Sequence, residues 1–246
     1  MNSQISANLL AIVPARAGSK GVPGKNKALI AGLPVIEYTV AALEESRAVS
    51  GILVSSDDSD ILALYRDREA VLTVERPAAL ARDDSSTGDV VAHALEAWAA
   101  TGRVPPDAIL LAQPTTPLRT ACDIDGAFDL FERRGREPVI SACCVEGIRH
   151  PCVMYRMSDH GRGVLYEAEP SDHRPRQSFE VVFQRNGAIY LVTTAFFRST
   201  GRLRNATPLI YEMPWERSIN IDGPGDLLIA KALIESGLLN GPMRWP

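Results

Sequence analysis

Between Val13 and Lys27 the chain reads VPARAGSKGVPGKNK, which sets Arg16, Lys20 and Lys25 among Gly18, Gly21 and Gly24, directly behind the apolar run Leu9–Val13. Glycines let a backbone approach an anion closely, and the three cations would neutralise a polyphosphate. Spacing excludes two common phosphate loops. In the Walker pattern Asn26 would be Ser or Thr and Ser19 would be Gly, while Lys20 breaks the dinucleotide-binding fingerprint two residues after Gly18. The same composition also builds an ordinary solvated turn, so this loop alone does not establish an anion site.

Three further loops carry polar residues behind apolar runs: Ser55-Ser56-Asp57-Asp58, then Arg76-Pro77 followed by Arg82 to Thr87, then Gln113-Pro114-Thr115-Thr116-Pro117-Leu118-Arg119. In an open α/β sheet ligands bind beyond the carboxyl ends of the strands, so these loops belong to one candidate site. Thr87 also suits the N-cap of the next helix, and the Gln113 loop also suits a plain turn. In Ser218-Ile219-Asn220-Ile221-Asp222, alternation places Asn220 and Asp222 on one side and the isoleucines toward the core. Asp222 could hold a cation or merely cap a helix beginning near Asp226, with Asp57 the next metal candidate. No Ser-His-Asp or Cys-His arrangement stands out.

The elements that must position these residues alternate between short apolar runs and helical periods, the mark of a mainly parallel sheet covered on both faces. Strands are expected at Leu9–Pro14, Ile52–Ser56, Val71–Val74, Ala108–Ala112, Val139–Val145, Ala188–Val192 and Leu209–Glu212. Helices are expected at Val35–Ser46, Ser59–Arg66, Gly88–Ala100, Asp123–Arg133 and Asp226–Ser236, with Thr120 and Asp123 as a capping pair. From Glu146 to Arg185 the pattern is broken by Gly161, Gly163, Pro170 and Pro175, and reads as a β-rich arm or lid inserted into a single domain spanning 1–246.

Composition narrows the function further. The 246 residues, 46% hydrophobic and 23% charged, suffice for one sizeable core. A net charge of −4 argues against a nucleic-acid binder with a broad basic face, so cations must be gathered locally, as at Arg16, Lys20, Lys25 and Lys27. No apolar run approaches a membrane span and Met1–Asn8 lacks a signal pattern, making the cytoplasm the default expectation. Cys122, Cys143, Cys144 and Cys152 lack metal-site spacing and read as buried, reduced thiols.

The order of Ala15-Arg16-x-Gly18-Ser19-Lys20-Gly21 with Lys25-Asn26, Arg76-Pro77, Gln113 to Arg119, and Asn186-Gly187-Ala188-Ile189-Tyr190 resembles the acylneuraminate cytidylyltransferases, from about Leu10 to Ile234. That resemblance implies a doubly wound, Rossmann-like nucleotidyltransferase fold with an inserted dimerisation arm. It implies CMP transfer from CTP to an acidic 2-keto sugar, a sialic-acid-like nonulosonic acid, with release of pyrophosphate. By the same resemblance Arg16, Lys20, Lys25 and Asn26, in a loop with Gly18 and Ser19, hold triphosphate and ribose, while Arg76, Ser85 and Thr87 face cytosine. Gln113, Arg176 and Asn186 meet the sugar, Tyr190, Phe196 and Phe197 wall it, and Asp222 with Asn220 holds Mg2+; Arg16, Lys20, Gln113 and Asp222 form the catalytic set. The implied partner is a second copy of the chain, which completes the sugar pocket in trans.

Two positions depart from the family pattern. Asn220 replaces the first aspartate of a D-I-D motif, leaving one charged metal ligand fewer, and Val153 stands where some sialic-acid enzymes carry a lysine that meets the sugar carboxylate. They leave room for a same-fold enzyme that cytidylylates a phosphonate or another small acid, or for a nucleotide-binding protein without turnover. Relatives acting on ketodeoxyoctonate fit less well, because their first loop differs and they lack the Asn186-Gly187 context.

Overall fold

Strand β1, Leu9–Pro14, sends Leu9, Ala11 and Val13 into one buried cluster and Leu10 and Ile12 into another. A strand buried on both faces reads as an unbroken apolar run, which is why it was visible in the sequence. The computed structural model describes residues 7–18, 21–166 and 180–237. The remaining main strands are β2 (Val49–Ser56), β3 (Val71–Glu75), β4 (Ala108–Leu111), β5 (Val139–Cys144), β6 (Phe183–Thr193) and β7 (Leu209–Glu212). They form a seven-stranded sheet in the order β7-β5-β6-β4-β1-β2-β3. Strand β6 runs antiparallel to both neighbours, and the other pairings are parallel.

Helices α1 (Val35–Glu45), α2 (Ser59–Tyr65) and α4 (Ala121–Arg133) pack on one face, and α3 (Thr87–Ala100) with α5 (Thr194–Thr200) on the other. Helix α6 (Pro224–Glu235) contributes Ala230 to a smaller cluster with Ile30, Tyr38 and Ile221. The apolar stripe Val90, Val91, Ala94, Leu95 and Trp98 of α3 is buried as its period requires. The expected Thr120–Asp123 pair forms a complete capping box at α4. Thr87 is not the N-cap of α3: Ser86 is, accepting from Asp89 N at 3.0 Å.

Many boundaries shift by one to three residues, and the larger differences from the sequence expectation lie at β6 and just after it. Strand β6 begins at Phe183, where Phe183, Gln184 and Arg185 pair with Cys144, Cys143 and Ala142, so the arm ends before them. The pairing register then shifts between Arg185 and Tyr190, a bulge in which Gly187 adopts φ +81. The expected strand starts only at Ala188 because the Gly187 bulge interrupts the longer one. Helix α5 was not anticipated; it is one short segment, capped by Thr193 Oγ1 accepting from Phe196 N at 3.0 Å.

In the arm, an antiparallel pair joins Tyr155–Met157 to Gly163–Leu165. It leaves Tyr155, Met157, Val164 and Tyr166 exposed. Cys143 and Cys152 are buried, but Cys144 is only half-buried and Cys122, near the start of α4, is exposed. Among the described residues no helix is long and apolar enough to cross a membrane.

Candidate active site

The loops at the carboxyl ends of β1, β2, β3 and β4 are knitted together by the chain's own polar groups. Asp57 Oδ1 accepts from Ala17 N at 2.8 Å and so tethers the first loop. Asn26, buried, donates from Nδ2 to Arg16 O at 3.0 Å and props that loop from within. A side chain at Gly21 would place Cβ 1.8 Å from Asp222 O, so only glycine lets the first loop lie against the 218–223 segment. That segment is in turn held to the Gln113 loop by Ile221 N donating to Thr115 O at 2.7 Å.

Between these loops lies a cleft of about 240 Å3. Its wall includes Arg16, Gly18, Lys25, Asn26, Arg76, Ser85, Thr87 and Gln113, so eight of the expected site residues converge from the three loops that follow β1, β3 and β4. Ser19, Lys20 and Arg176 lie outside the described residues.

The cations of the cleft differ in their surroundings. Arg16 pairs with Asp83 across the cleft mouth, the two side chains being 33% and 46% exposed. Lys25 is largely buried, donates from Nζ to Ile221 O at 2.7 Å and stands 3.9 Å from Asp222 Oδ1. Burial lowers its pKa, Asp222 opposes that shift, and the nearby Arg16 charge adds to it. Arg76 is buried and donates from Nη2 to Ser55 O at 2.7 Å; burial lowers its pKa, opposed by Asp57. Lys27 does not join this group, because Asp58 and Asp60 each hold its Nζ at 2.8 Å.

Asp222 is not the cap of α6. The carboxylate of Asp226 takes that role, accepting from Asp222 N at 3.0 Å and Gly223 N at 2.7 Å, while the Asp222 side chain remains 76% exposed beside Lys25. Ile219 and Ile221 are buried and Asn220 Nδ2 donates to Asp222 Oδ2 at 2.9 Å, so the expected alternation holds. Asn220 Oδ1 is buried without a hydrogen-bond partner among the described residues. It is Nδ2 that faces the carboxylate; with the Asn220 amide turned so that Oδ1 faces Asp222, a neutral oxygen and a carboxylate would fit a hard cation that keeps most of its waters.

The sugar-side expectations divide. Gln113 and Tyr190 line a second cleft of about 650 Å3, which meets the first at Thr87 and Gln113. Asn186 is instead consumed inside the fold. Its Oδ1 accepts from Ser141 Oγ at 2.6 Å and Ala188 N at 3.1 Å, and its Nδ2 donates to Ser218 Oγ at 2.8 Å, which fixes the β6 bulge beneath Gln113. Phe197 is buried in the core with Leu10 and Ile12, Phe196 packs against the same cluster, and neither lines either of these two clefts among the described residues. Val153 is 42% exposed on the arm.

Two arginines that the motifs did not single out as site residues hold the frame. Arg119, fully buried, donates to Ala188 O at 2.9 Å, Gln113 O at 2.8 Å and Thr39 Oγ1 at 3.2 Å, so it sets the Gln113 loop against β6. Burial lowers its pKa to about 10, and it stays charged at neutral pH. Arg217 donates twice to buried Asp123, at 2.9 and 2.8 Å, anchoring the segment before Asp222 to α4.

Known proteins resemble this chain in sequence and in fold. The chain is 28% identical over 224 residues to the N-acylneuraminate cytidylyltransferase of Streptococcus agalactiae serotype III (strain NEM316), covering 89% of this chain and 51% of that protein. It thus spans about half the length of that relative. It is 29% identical over 231 residues to the CMP-N,N'-diacetyllegionaminic acid synthase of Legionella pneumophila subsp. pneumophila (strain Philadelphia 1), covering 92% and 96% of the two. Among solved structures, a CMP:2-keto-3-deoxy-manno-octonic acid synthetase complexed with CTP superposes with TM-score 0.68 at 14% identity, covering 94% of this chain and 99% of that one, and shows the common fold. A family model described as cytidylyltransferase matches residues 10–158, and the chain belongs to that family.

Proposed function

We propose that this protein transfers CMP from CTP to a hydroxyl of an acidic 2-keto sugar of the nonulosonic type and releases pyrophosphate. The observation that carries the reading is the convergence of Arg16, Lys25, Arg76, Thr87 and Gln113 from separate loops on one cleft, opening at Gln113 into a second. The names of the relatives, which print N-acylneuraminate and diacetyllegionaminic acid, support the acceptor class.

In this reading the acceptor hydroxyl oxygen attacks the α-phosphorus. The new O–P bond forms as the bond to the β-phosphate oxygen breaks, and the hydroxyl proton passes to solvent. Such a transfer depends on alignment and charge neutralisation more than on a protein nucleophile. Arg16 and Lys25 bind the triphosphate, Lys25 as a cation whose desolvation leaves it poised for a phosphate oxygen. Arg76, Ser85 and Thr87 orient the base, and Gln113, backed by Arg119 and the Asn186-Gly187 bulge, aligns the acceptor. Asp222 and the Asn220 Oδ1 would hold Mg2+, which supplies charge neutralisation on the leaving pyrophosphate. The exposed apolar side chains of the arm are the surface through which a second copy would pair.

Pyrophosphate release in the presence of Mg2+, CTP and a panel of nonulosonic acids tests the assignment. Release with at least one sugar acid supports it. Release only with a phosphonate or another small acid moves the acceptor class, and CTP binding without turnover on any acceptor overturns the enzyme reading.

A further inference from the structure

The second cleft carries a charge pattern that the nucleotide does not use. Arg185, from the first residues of β6, and Arg202 and Arg204, from the loop after α5, all line it. Among the described residues no carboxylate forms an ion pair with any of the three.

The Arg185 guanidinium lies 5.7 Å from the centroid of the Tyr190 ring, which holds it along the cleft wall. The charges of Arg185 and Arg204 both act on the Tyr190 phenol, opposing the rise in its pKa that burial causes, so both face the same space. The amide of Asn205 lines this cleft too, and its Oδ1 is buried without a hydrogen-bond partner among the described residues. Like charges gathered without a counter-charge repel one another, and an anion entering between them relieves that repulsion. A planar guanidinium matches a carboxylate in two parallel hydrogen bonds, and amide and phenol groups suit hydroxyls. The complement of this wall is a polyhydroxylated carboxylic acid.

We infer that Arg185 and Arg204 bind the carboxylate of the acceptor, with Arg202 at the rim, and that they set the preference for an acid over a neutral sugar. The assignment rests on the transferase reading above. It places the acceptor with its carboxylate at the Arg185–Arg204 end and its reacting hydroxyl toward Thr87 and Gln113, where the two clefts meet.

The test uses Arg185→Gln and Arg204→Gln, singly and together, with Arg185→Lys and Arg204→Lys as charge-retaining controls and thermal melting to check folding. Each single Gln variant is expected to raise the acceptor KM about tenfold, as loss of one charge-assisted contact would, and the double variant more. The CTP KM stays within about twofold by the same assignment, discrimination between the acid and its methyl ester collapses, and the Lys variants recover part of the loss. An unchanged acceptor KM in the double variant, or a CTP KM that rises in step with it, overturns the arginine assignment while leaving the transferase reading intact. If the double variant unfolds, the single and Lys variants give the same readout. If the wild-type protein turns over no sugar acid at all, the transferase reading fails and takes this inference with it.

Discussion

The ion pair between Arg16 and Asp83 spans the mouth of the first cleft, and both residues line it. For Arg16 to bind phosphate, it must give up that carboxylate. The perturbation that isolates the competition is Asp83→Asn, which keeps the shape and removes the charge. With side chains 33% and 46% exposed, the pair belongs to the weakly coupled surface class, worth about 0.2–1 kcal/mol. At about 1.4 kcal/mol per tenfold, releasing Arg16 should tighten CTP binding by about 1.5- to 5-fold. Removing a negative charge from a cleft that receives a polyanion acts in the same direction. Isothermal titration of CTP into both proteins, without acceptor, measures the change. The gain should shrink between low and physiological salt, because both competing interactions are screened. Weaker CTP binding by Asp83→Asn would refute the competition and show that Asp83 holds Arg16 in its working pose.

Gly21→Ala should leave the melting of the core nearly unchanged yet abolish most turnover, since its Cβ would sit 1.8 Å from Asp222 O and force the two site segments apart. Arg119→Leu should cost about 3 kcal/mol or more in denaturant unfolding, because it strips partners from the buried carbonyls of Ala188 and Gln113. Asp222→Asn should remove most activity with the fold intact, while Asn220→Asp should lower the Mg2+ concentration needed for half-maximal rate; wild-type magnesium dependence in both would make the pair structural. Sedimentation at micromolar concentration should show a dimer held by the arm, and Tyr155→Ser with Met157→Ser should shift it toward monomer.

Much of the fold was legible because its signals are local. A strand buried on both faces is a plain apolar run, as at Leu9–Pro14, and an N-cap with its partner three residues on is a fixed spacing, as at Thr120 and Asp123. The first cleft was legible for a different reason: its residues sit in loops that follow strands, and a parallel sheet brings such loops to one edge. The second cleft was less so, because there the same residue types serve the interior. Asn186, expected at the sugar, lies in a bulge where Ser141, Ala188 and Ser218 satisfy its amide. The Phe196–Phe197 pair is turned onto the core by a helix too short to show a period. Arg185, Arg202 and Arg204 stand in ordinary polar surroundings, and only tertiary packing brings them to one wall.

The central claim, that the α-phosphoryl group passes from CTP to an acid held in the neighbouring cleft, is tested most directly by following a label on that phosphorus. With Mg2+, α-labelled CTP and a nonulosonic acid, the label should move into a sugar phosphodiester in equal amount to pyrophosphate released, with little free CMP. Label that remains in CTP with every acid tried, or that appears as free CMP at a rate independent of the acid, would contradict the account.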